Sequence, residues 1–496
     1  MRRVLPYVVV LAAVTPVSAQ TVDEVSADGI ARSLSRYIGS RSFETGIFKV
    51  SAEGDAYRIA VNLDRFAAMI PQIDASSFDL APFELRVKPQ PDGTFLVDSD
   101  LMPTGAFNFQ LASTEASPPL RSHVEWRAQE SQFTGMFDPE LAMYSSLSGT
   151  LRGVNVLSHD DSQRIEYSIG SSTVEMTARK SKGPGLDLET TQTMLDLVET
   201  VTVPAAPDGP PTAITLRSPK ITVASNTTGM QWKPMLDLLA FGVAQAGKDI
   251  EAADRTELKR LILATLPLWE TVRGGYDFTD LTVGTPAGLF RLANFGIDVT
   301  MDGIRKSGSL DYGVDLAGIA LPQGVAPVWS NPLLPTDINL NFGVRNLNSE
   351  DPVRQFIEAF DFDREPPIPD EVGEKILADF MANPPTFVME RSIIRNADIE
   401  VVMSGEMPFS LGKPTIGATI EVAGFDAAIT ALQTAAASDA RAQQAFPLLL
   451  AAKGLGKMLP NGRLQWIGEL KSDGSVLVNG ATLKGPDPIE VPLPRL

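Results

Sequence analysis

Histidine is the usual proton shuttle near neutral pH and the commonest metal ligand, and the chain has only two, His123 and His159, in 496 residues. A serine nucleophile would need one of them beside a serine and an acid. No Gly-x-Ser-x-Gly elbow is present. His159-Asp160-Asp161 is the single His–acid cluster, in the polar segment 158–163. A metal there would need further ligands from elsewhere in the chain, and a solvated hairpin turn accounts for the same residues. Acids recur in pairs, at Asp98-x-Asp100 and Asp361-x-Asp363-Arg364-Glu365. Glycoside hydrolysis needs two carboxyls at a fixed separation across a cleft, which closeness in sequence does not supply. The alternating acids around a central Gly of a calcium loop are missing too. Gly284-Thr285-Pro286-Ala287-Gly288 lacks the Gly-Lys-Ser/Thr ending of a phosphate loop. Ala452 to Lys457 reads as a helix end with Lys near its negative pole. Arg179-Lys180-Ser181-Lys182 is an isolated basic run in an acidic chain, and Asn226-Thr227-Thr228 fits a glycosylation acceptor. No catalytic, cofactor-binding or metal-binding residue is assigned, and no cofactor is implied.

The elements that would position such groups follow from hydropathy. Ile30, Leu34, Tyr37 and Ile38 predict a helix over about Val25 to Gly39. Tyr57, Ile59, Val61 and Leu63 alternate with polar neighbours, as do Phe83, Leu85 and Val87, and both predict half-buried strands. Asp92-Gly93 marks a hairpin turn before Phe95-Leu96-Val97. Short strands are expected over about Phe107 to Thr177, then a helix over Leu188 to Val201. The prolines of Val203 to Pro211 end it, as a boundary or a long loop. After one or two strands an αα-hairpin follows, its first helix starting near Lys233 and its second carrying Leu258, Leu261, Ile262 and Leu266 on one face.

Ile338, Leu340, Phe342 and Val344 give the cleanest half-buried strand. Ser349 is the expected N-cap of a helix striped by Val353, Phe356, Ile357 and Phe360. A second helix carries Val372, Ile376, Leu377 and Phe380. Strands are expected at Ile399 to Met403 and Ile416 to Val422. Asp426 is expected to cap a helix, and an Ala- and Leu-rich helix runs to about Leu455. In the closing hairpin, parity puts Leu464, Trp466 and Leu470 on the core side and Gln465, Glu469 and Lys471 in water, with Ile467 an exception. Residues 91–97 and 472–478 echo each other as Asp-Gly turns followed by strands.

Composition limits the function classes. The net charge of −19 opposes binding to nucleic acid and to anionic lipid headgroups. With no cysteine, the fold depends on neither disulfides nor thiolate ligands. A hydrophobic content of 44 % is that of a folded chain. Met1-Arg2-Arg3, the apolar run from Val4 to Val14 and the small residues Val17-Ser18-Ala19 read as a cleaved secretory signal over residues 1–19. No later run is long and apolar enough for a transmembrane helix. The organisation expected is a signal peptide over 1–19, a β-rich region over 20–202, a Pro-rich loop over 203–212, a middle region over 213–365 and an α+β region over 366–496.

The segments Tyr276 to Val283 with Gly284 to Gly288, Asn396-Ala397-Asp398-Ile399-Glu400, and Gly468 to Gly480 ending Val478-Asn479-Gly480 carry a resemblance. The chain resembles a Gram-negative periplasmic family of unknown function that is itself remotely similar to AsmA-like and YdgA-like envelope proteins. The likeness spans nearly all the chain after the signal, on strand patterns of low to moderate specificity. It implies an elongated, curved sheet, an envelope role and a lipid-facing concave side. It brings no catalytic residues. Unlike the AsmA-like proteins, this chain reads as cleaved rather than anchored.

The fold class expected is α+β, with extensive, mainly antiparallel sheet and helices packed on it. The function expected is a non-catalytic, extracytoplasmic envelope protein that binds an apolar ligand such as a lipid, or an envelope protein partner, in a sheet-lined groove. The alternatives are a secreted hydrolase using buried carboxylates and a purely structural or assembly factor.

Overall fold

The computed structural model describes residues 22–62, 64–65, 73–74, 83–99, 105–111, 120–160, 162–203 and 211–487. The signal reading, Leu63, Asp100, Asp161 and most of the Pro-rich run lie outside them. The chain divides into two compact units at Pro286/Ala287, and each is an α+β arrangement on antiparallel sheet.

In the first unit, α1 (Glu24–Ile38) and α2 (Ser40–Glu44) lead into β1 (Phe48–Glu53), β2 (Ala56–Val61), β3 (Ile73–Asp74), β4 (Phe83–Pro89), β5 (Phe95–Ser99), β6 (Gly105–Leu111), β7 (Leu120–Arg127) and β8 (Glu130–Asp138). The long strands β9 (Met143–Asp160), β10 (Arg164–Lys180), β11 (Leu186–Val203) and β12 (Thr212–Met230) follow. The helices α3 (Trp232–Gln245) and α4 (Ala252–Ala264) and the strand β13 (Thr271–Thr285) complete the unit.

Asp23 caps α1 by accepting from Ser26 N at 2.8 Å, and Gly39, at φ 83°, ends it. Ala27, Ile30 and Leu34 lie on one face and bury against Tyr57, Ile59, Leu85, Val87, Phe95, Val97 and Phe137 from β2, β4, β5 and β8. The Tyr144 ring meets Phe133 and Phe137 edge-on at 5.7 and 5.8 Å. Burial pushes its phenol well above the ordinary range. The αα-hairpin forms where expected, with Leu266 falling just beyond its second helix. Its second helix is held by reciprocal capping between Glu251 and Asp254, and Leu236 and Ala240 of its first bury beside Tyr37 and Ala142.

Strands β9 to β12 run for 17–19 residues, and β9 and β10 are far longer than the short segments expected over about Phe107 to Thr177. They pair in sequence order, and β12 pairs with β13. Where a helix was expected over Leu188 to Val201, the chain is β11. Two causes combine. Thr190, Thr191, Thr193, Val198, Thr200, Val201, Thr202 and Val203 are β-branched and favour extended backbone. The apolar parity also switches part-way along the strand, from even positions up to Met194 to odd ones from Leu197, and this imitates helical spacing. The switch is shared. Gly153, Gly170, Asp196, Pro219 and Asp280 stand opposite one another in a single row across β9 to β13, on the register their neighbours keep. Gly153, Asp196 and Asp280 have φ of 58°, 57° and 48°. Each strand inserts one residue at the same row, so register survives and one face stays apolar on both sides. Pro219 stands in the same row, and beside it the buried Ser218 hydroxyl lies 2.9 Å from the carbonyls of Lys220 and Thr279. The Pro-rich run joins two neighbours, since Val203 pairs with Thr212.

The second unit begins with β14 (Gly288–Asp302), β15 (Gly308–Ala317), a 3-10 turn (Val328–Leu333), β16 (Asp337–Leu347), α5 (Glu350–Ala359) and α6 (Asp370–Ala382). It continues with β17 (Thr386–Arg395), β18 (Glu400–Pro408), β19 (Ile416–Ala423), α7 (Phe425–Ala436), α8 (Ala440–Leu455), β20 (Lys457–Met458), β21 (Leu464–Leu470), β22 (Val476–Val478) and β23 (Ala481–Lys484). Its strands form an antiparallel meander, in which β19 pairs with β21 and β21 pairs with both β20 and β22.

Two expected caps differ. Ser349 holds the N-cap position of α5 but makes no capping bond. Its hydroxyl accepts from Arg305 N at 3.2 Å, while Asn348 Oδ1 accepts from Asp351 N. For α7 the N-cap is Gly424 and not Asp426, which lies in the first turn and pairs with Lys453. The echoed turns are alike. Asp92 Oδ1 accepts from Thr94 N and Asp473 Oδ1 from Ser475 N, with Gly93 and Gly474 at φ 85° and 83°.

Candidate functional site

The period-2 pattern of β16 puts Ile338, Leu340, Phe342 and Val344 on one face. Register carries that face through the second unit. Phe342 stands opposite Tyr312 and Met389, Tyr312 opposite Val299, Met389 opposite Gly405, Gly405 opposite Ala418, and Ala418 opposite Gly468. One parallel row runs Phe295, Leu316, Ile338, Ile394, Val401, Val422 and Leu464. Another runs Met301, Leu310, Val344, Phe387 and Met407. These rows contain no charged side chain across seven strands. The bulge in β17 keeps them aligned. Buried Ser392 occupies it, accepts from Asn341 N at 2.9 Å and donates to Glu390 O at 3.1 Å. The opposite face of β14 to β16 is polar, with Asp298, Asp311, Asp315, Asn339, Asn341 and Arg345, and Arg345 bridges Asp311 and Glu390.

One end of the apolar face is covered. Val422 and Leu464 are buried. Trp466 donates from Nε1 to Ala452 O of α8 at 2.8 Å, and its ring lies 5.3 Å from that of Phe425 in α7. Asn479 clasps the same corner. It donates to Leu455 O and Gln465 O and accepts from Ile467 N. The parity expected for this hairpin holds, and Ile467, 43 % exposed, lies on the wet side. At the other end no apolar side chain of β14, β15 or β16 is fully buried, and Tyr312, Phe342 and Phe387 are exposed.

The residues singled out for chemistry take structural places. His123 and His159 are direct cross-strand partners, which the sequence reading missed, because β7 pairs with the far end of β9. Their ring centroids are 5.0 Å apart, and His123 Nδ1 lies 2.7 Å from Asn108 Oδ1. His123 is half-buried, and His159 lies exposed near the end of β9 rather than in the turn. Asp160 makes the turn. Bonds from Ser162 and from Gln163 N reach its carboxylate and hold its pKa below the usual range. Asp361 closes a turn by accepting from Asp363 N. Arg179 and Lys180 pair with Asp187 and Glu140. Asn226 lies inside β12, paired on both sides. Among the described residues no group of three or more His, Asp or Glu is placed to hold a metal, and no helix is long and apolar enough to cross a membrane.

No family model, curated protein or solved structure matches the chain.

Replacing both histidines by Gln should change stability by less than about 1 kcal/mol, because Gln can still bond Asn108 and the pair is partly wet, and should leave function intact. Thermal unfolding measures the first part. Complementation of the deletion strain measures the second, and a well-folded double variant that fails to complement would count against a structural role for the pair.

Proposed function

We propose that this chain is a non-catalytic, extracytoplasmic envelope protein that takes the acyl chains of a lipid on the apolar sheet face of its second unit. The observation that carries the reading is the block of apolar residues on β14, β15 and β16, uncharged, in register and not fully buried. An apolar face this wide left partly wet is a standing cost, since covering one Leu or Phe side chain is worth about 1.5–3 kcal/mol. A protein that keeps such a face gains from an apolar occupant. Aliphatic, Phe and Met side chains suit a flexible hydrocarbon chain, which makes no directional demands. The resemblance to AsmA-like and YdgA-like envelope proteins points the same way. Among the described residues, the carboxylates whose pKa clearly moves, Asp55, Asp160, Glu400 and Asp487 among them, are lowered, by hydrogen bonds and neighbouring cations. A general acid in a hydrolase needs the opposite shift.

The test pairs native mass spectrometry of the protein from its own host with titration by Nile red, a neutral apolar dye, and competition by diacylglycerol. Phe342→Glu puts a carboxylate in the central row. It should weaken dye binding by at least about tenfold, because the ionised group loses its water under the ligand. The melting temperature should change little, since Phe342 is already exposed. A native spectrum without a lipid adduct together with equal dye binding by Phe342→Glu would sink the reading.

A further inference from the structure

The helices α5 and α6 carry a second set of apolar side chains, of which Phe380 meets the Phe409 ring just after β18 at 5.2 Å. Val353, Phe356, Ile357 and Phe360 stripe α5, and Val372, Ile376, Leu377 and Phe380 stripe α6. The two helices are tied by Gln355 Nε2 donating to Asp379 Oδ2 at 3.0 Å. Stripes of this kind ordinarily close a core, yet neither helix contains a fully buried residue. Phe356 is 49 % and Leu377 47 % exposed. The Phe360 ring lies 6.0 Å from that of Phe356 and 4.9 Å from that of Phe362, so the apolar surface continues into the loop after α5. A helix of ten residues is marginal unless its apolar face is packed.

Charge decides what would cover it. Residues 350–382 contain ten acidic side chains against three basic ones, so a large part of the chain's net charge of −19 is concentrated in and between these two helices. Arg354 is already bonded to Glu350, and Lys306 pairs with Asp351. An anionic membrane surface or a nucleic acid is repelled by such a field. A second copy of this surface would bring like charges together. A cationic amphipathic helix meets both features, with apolar residues set on Phe356 and Leu377 and Lys or Arg facing the acids on either side.

We propose that the α5–α6 hairpin is a docking surface for a basic amphipathic helix of a partner protein. The probe is a fluorescein-labelled Leu/Lys amphipathic helical peptide, titrated into the full chain by anisotropy. A Leu/Glu peptide of the same pattern and phosphatidylglycerol vesicles serve as competitors for the assignment. The Leu/Lys peptide should bind and weaken as salt rises, and the other two should not bind. The double substitution Phe356→Ser/Leu377→Ser should cut affinity by at least about tenfold, which is the loss of two buried apolar contacts. Circular dichroism checks that it folds. Asp370→Asn/Glu371→Gln/Glu374→Gln leaves the apolar stripes untouched and should flatten the salt dependence. Phe342→Glu, on the sheet face, should leave peptide binding as it was. The proposal is overturned by absence of Leu/Lys binding, by equal binding of the Leu/Glu peptide, or by binding to the vesicles instead. It is also overturned if peptide affinity survives Phe356→Ser/Leu377→Ser or is lost in Phe342→Glu.

Discussion

Trp466→Ala should destabilise the second unit by about 3 kcal/mol, because it removes a large ring from a corner where the apolar sheet face is covered. The loss has two parts. The indole packs on Phe425 and against Gly456, where even a single added carbon would meet the ring at 3.0 Å, so little can move in to fill the space. The indole N–H also donates to Ala452 O, one of the last carbonyls of α8, which accepts from Gly456 N as well, and so ties the helix end to the sheet. Trp466→Phe separates the two. It keeps most of the ring and loses only the hydrogen bond, at a cost of about 1 kcal/mol. Ile467→Ala, one residue away on the wet face, should cost much less than either. Urea unfolding followed by circular dichroism gives the order, and hydrogen exchange should show the amides of α8 and β21 opening first in Trp466→Ala. If Ile467→Ala proved as costly as Trp466→Ala, the parity of the strand would be wrong. On the proposed lipid-binding reading, loosening α8 would widen the apolar face and should raise Nile red binding.

That corner was legible because its reasoning is local. In residues 464–474 two-residue periodicity, a Trp and an Asp-Gly turn all agree, and the structure follows them. The same holds for α1, whose cap and apolar spacing coincide, and for β16. The failures occurred where an arrangement belongs to several strands at once. β11 alone has an apolar spacing close to helical. It becomes a strand with a kink only when Gly153, Gly170, Pro219 and Asp280 are seen in the same row. No window of one strand contains that information. Ser349 has the residue type of a cap and the position of a cap. Arg305, 44 residues away, takes its hydroxyl instead.

The candidate site was legible in part. The alternation of Ile338 to Val344 and of the strands after it announced an apolar face. It did not say whether helices would cover that face. At β19 and β21 they do, through Trp466 and Phe425, and at β14 to β16 no apolar side chain is fully buried. Which end receives cover depends on where α7 and α8 return to the sheet, a matter of loop path and not of residue type. The stripes of α5 and α6 raised the opposite difficulty. They have the pattern of core helices, and their exposure becomes visible only when the neighbours that fail to cover them are known. The pairing of His123 with His159 was hidden for the reason that hid the kink row, since β7 reaches β9 only after β8 has paired with its first half.

Gly424→Ala should cost about 2–5 kcal/mol, among the largest effects of any single added methyl group in the second unit. Gly424 joins β19 to α7 at φ 73° and ψ 19°, a conformation that strains any residue bearing a Cβ. A Cβ there would stand 1.8 Å from the carbonyl oxygen of Asp398. That oxygen cannot withdraw cheaply, because the turn containing it is tied down. Asn396 Oδ1 accepts from Asp398 N and Ile399 N, and Asn396 Nδ2 donates to Pro332 O and Leu334 O. Relief would have to come from moving β18 or α7, and α7 holds Leu432 and Ala435 in the helical core beside Trp329. Gly454→Ala is the contrast. Gly454 lies within α8 with open space around its α-carbon, so Ala there should stabilise by about 0.5–1 kcal/mol through helix propensity alone. Thermal unfolding of the two variants should therefore move in opposite directions from the parent. Equal shifts, or a harmless Gly424→Ala, would mean that the turn at Asn396 yields, and the rigid seating of α7 on the sheet would have to be abandoned.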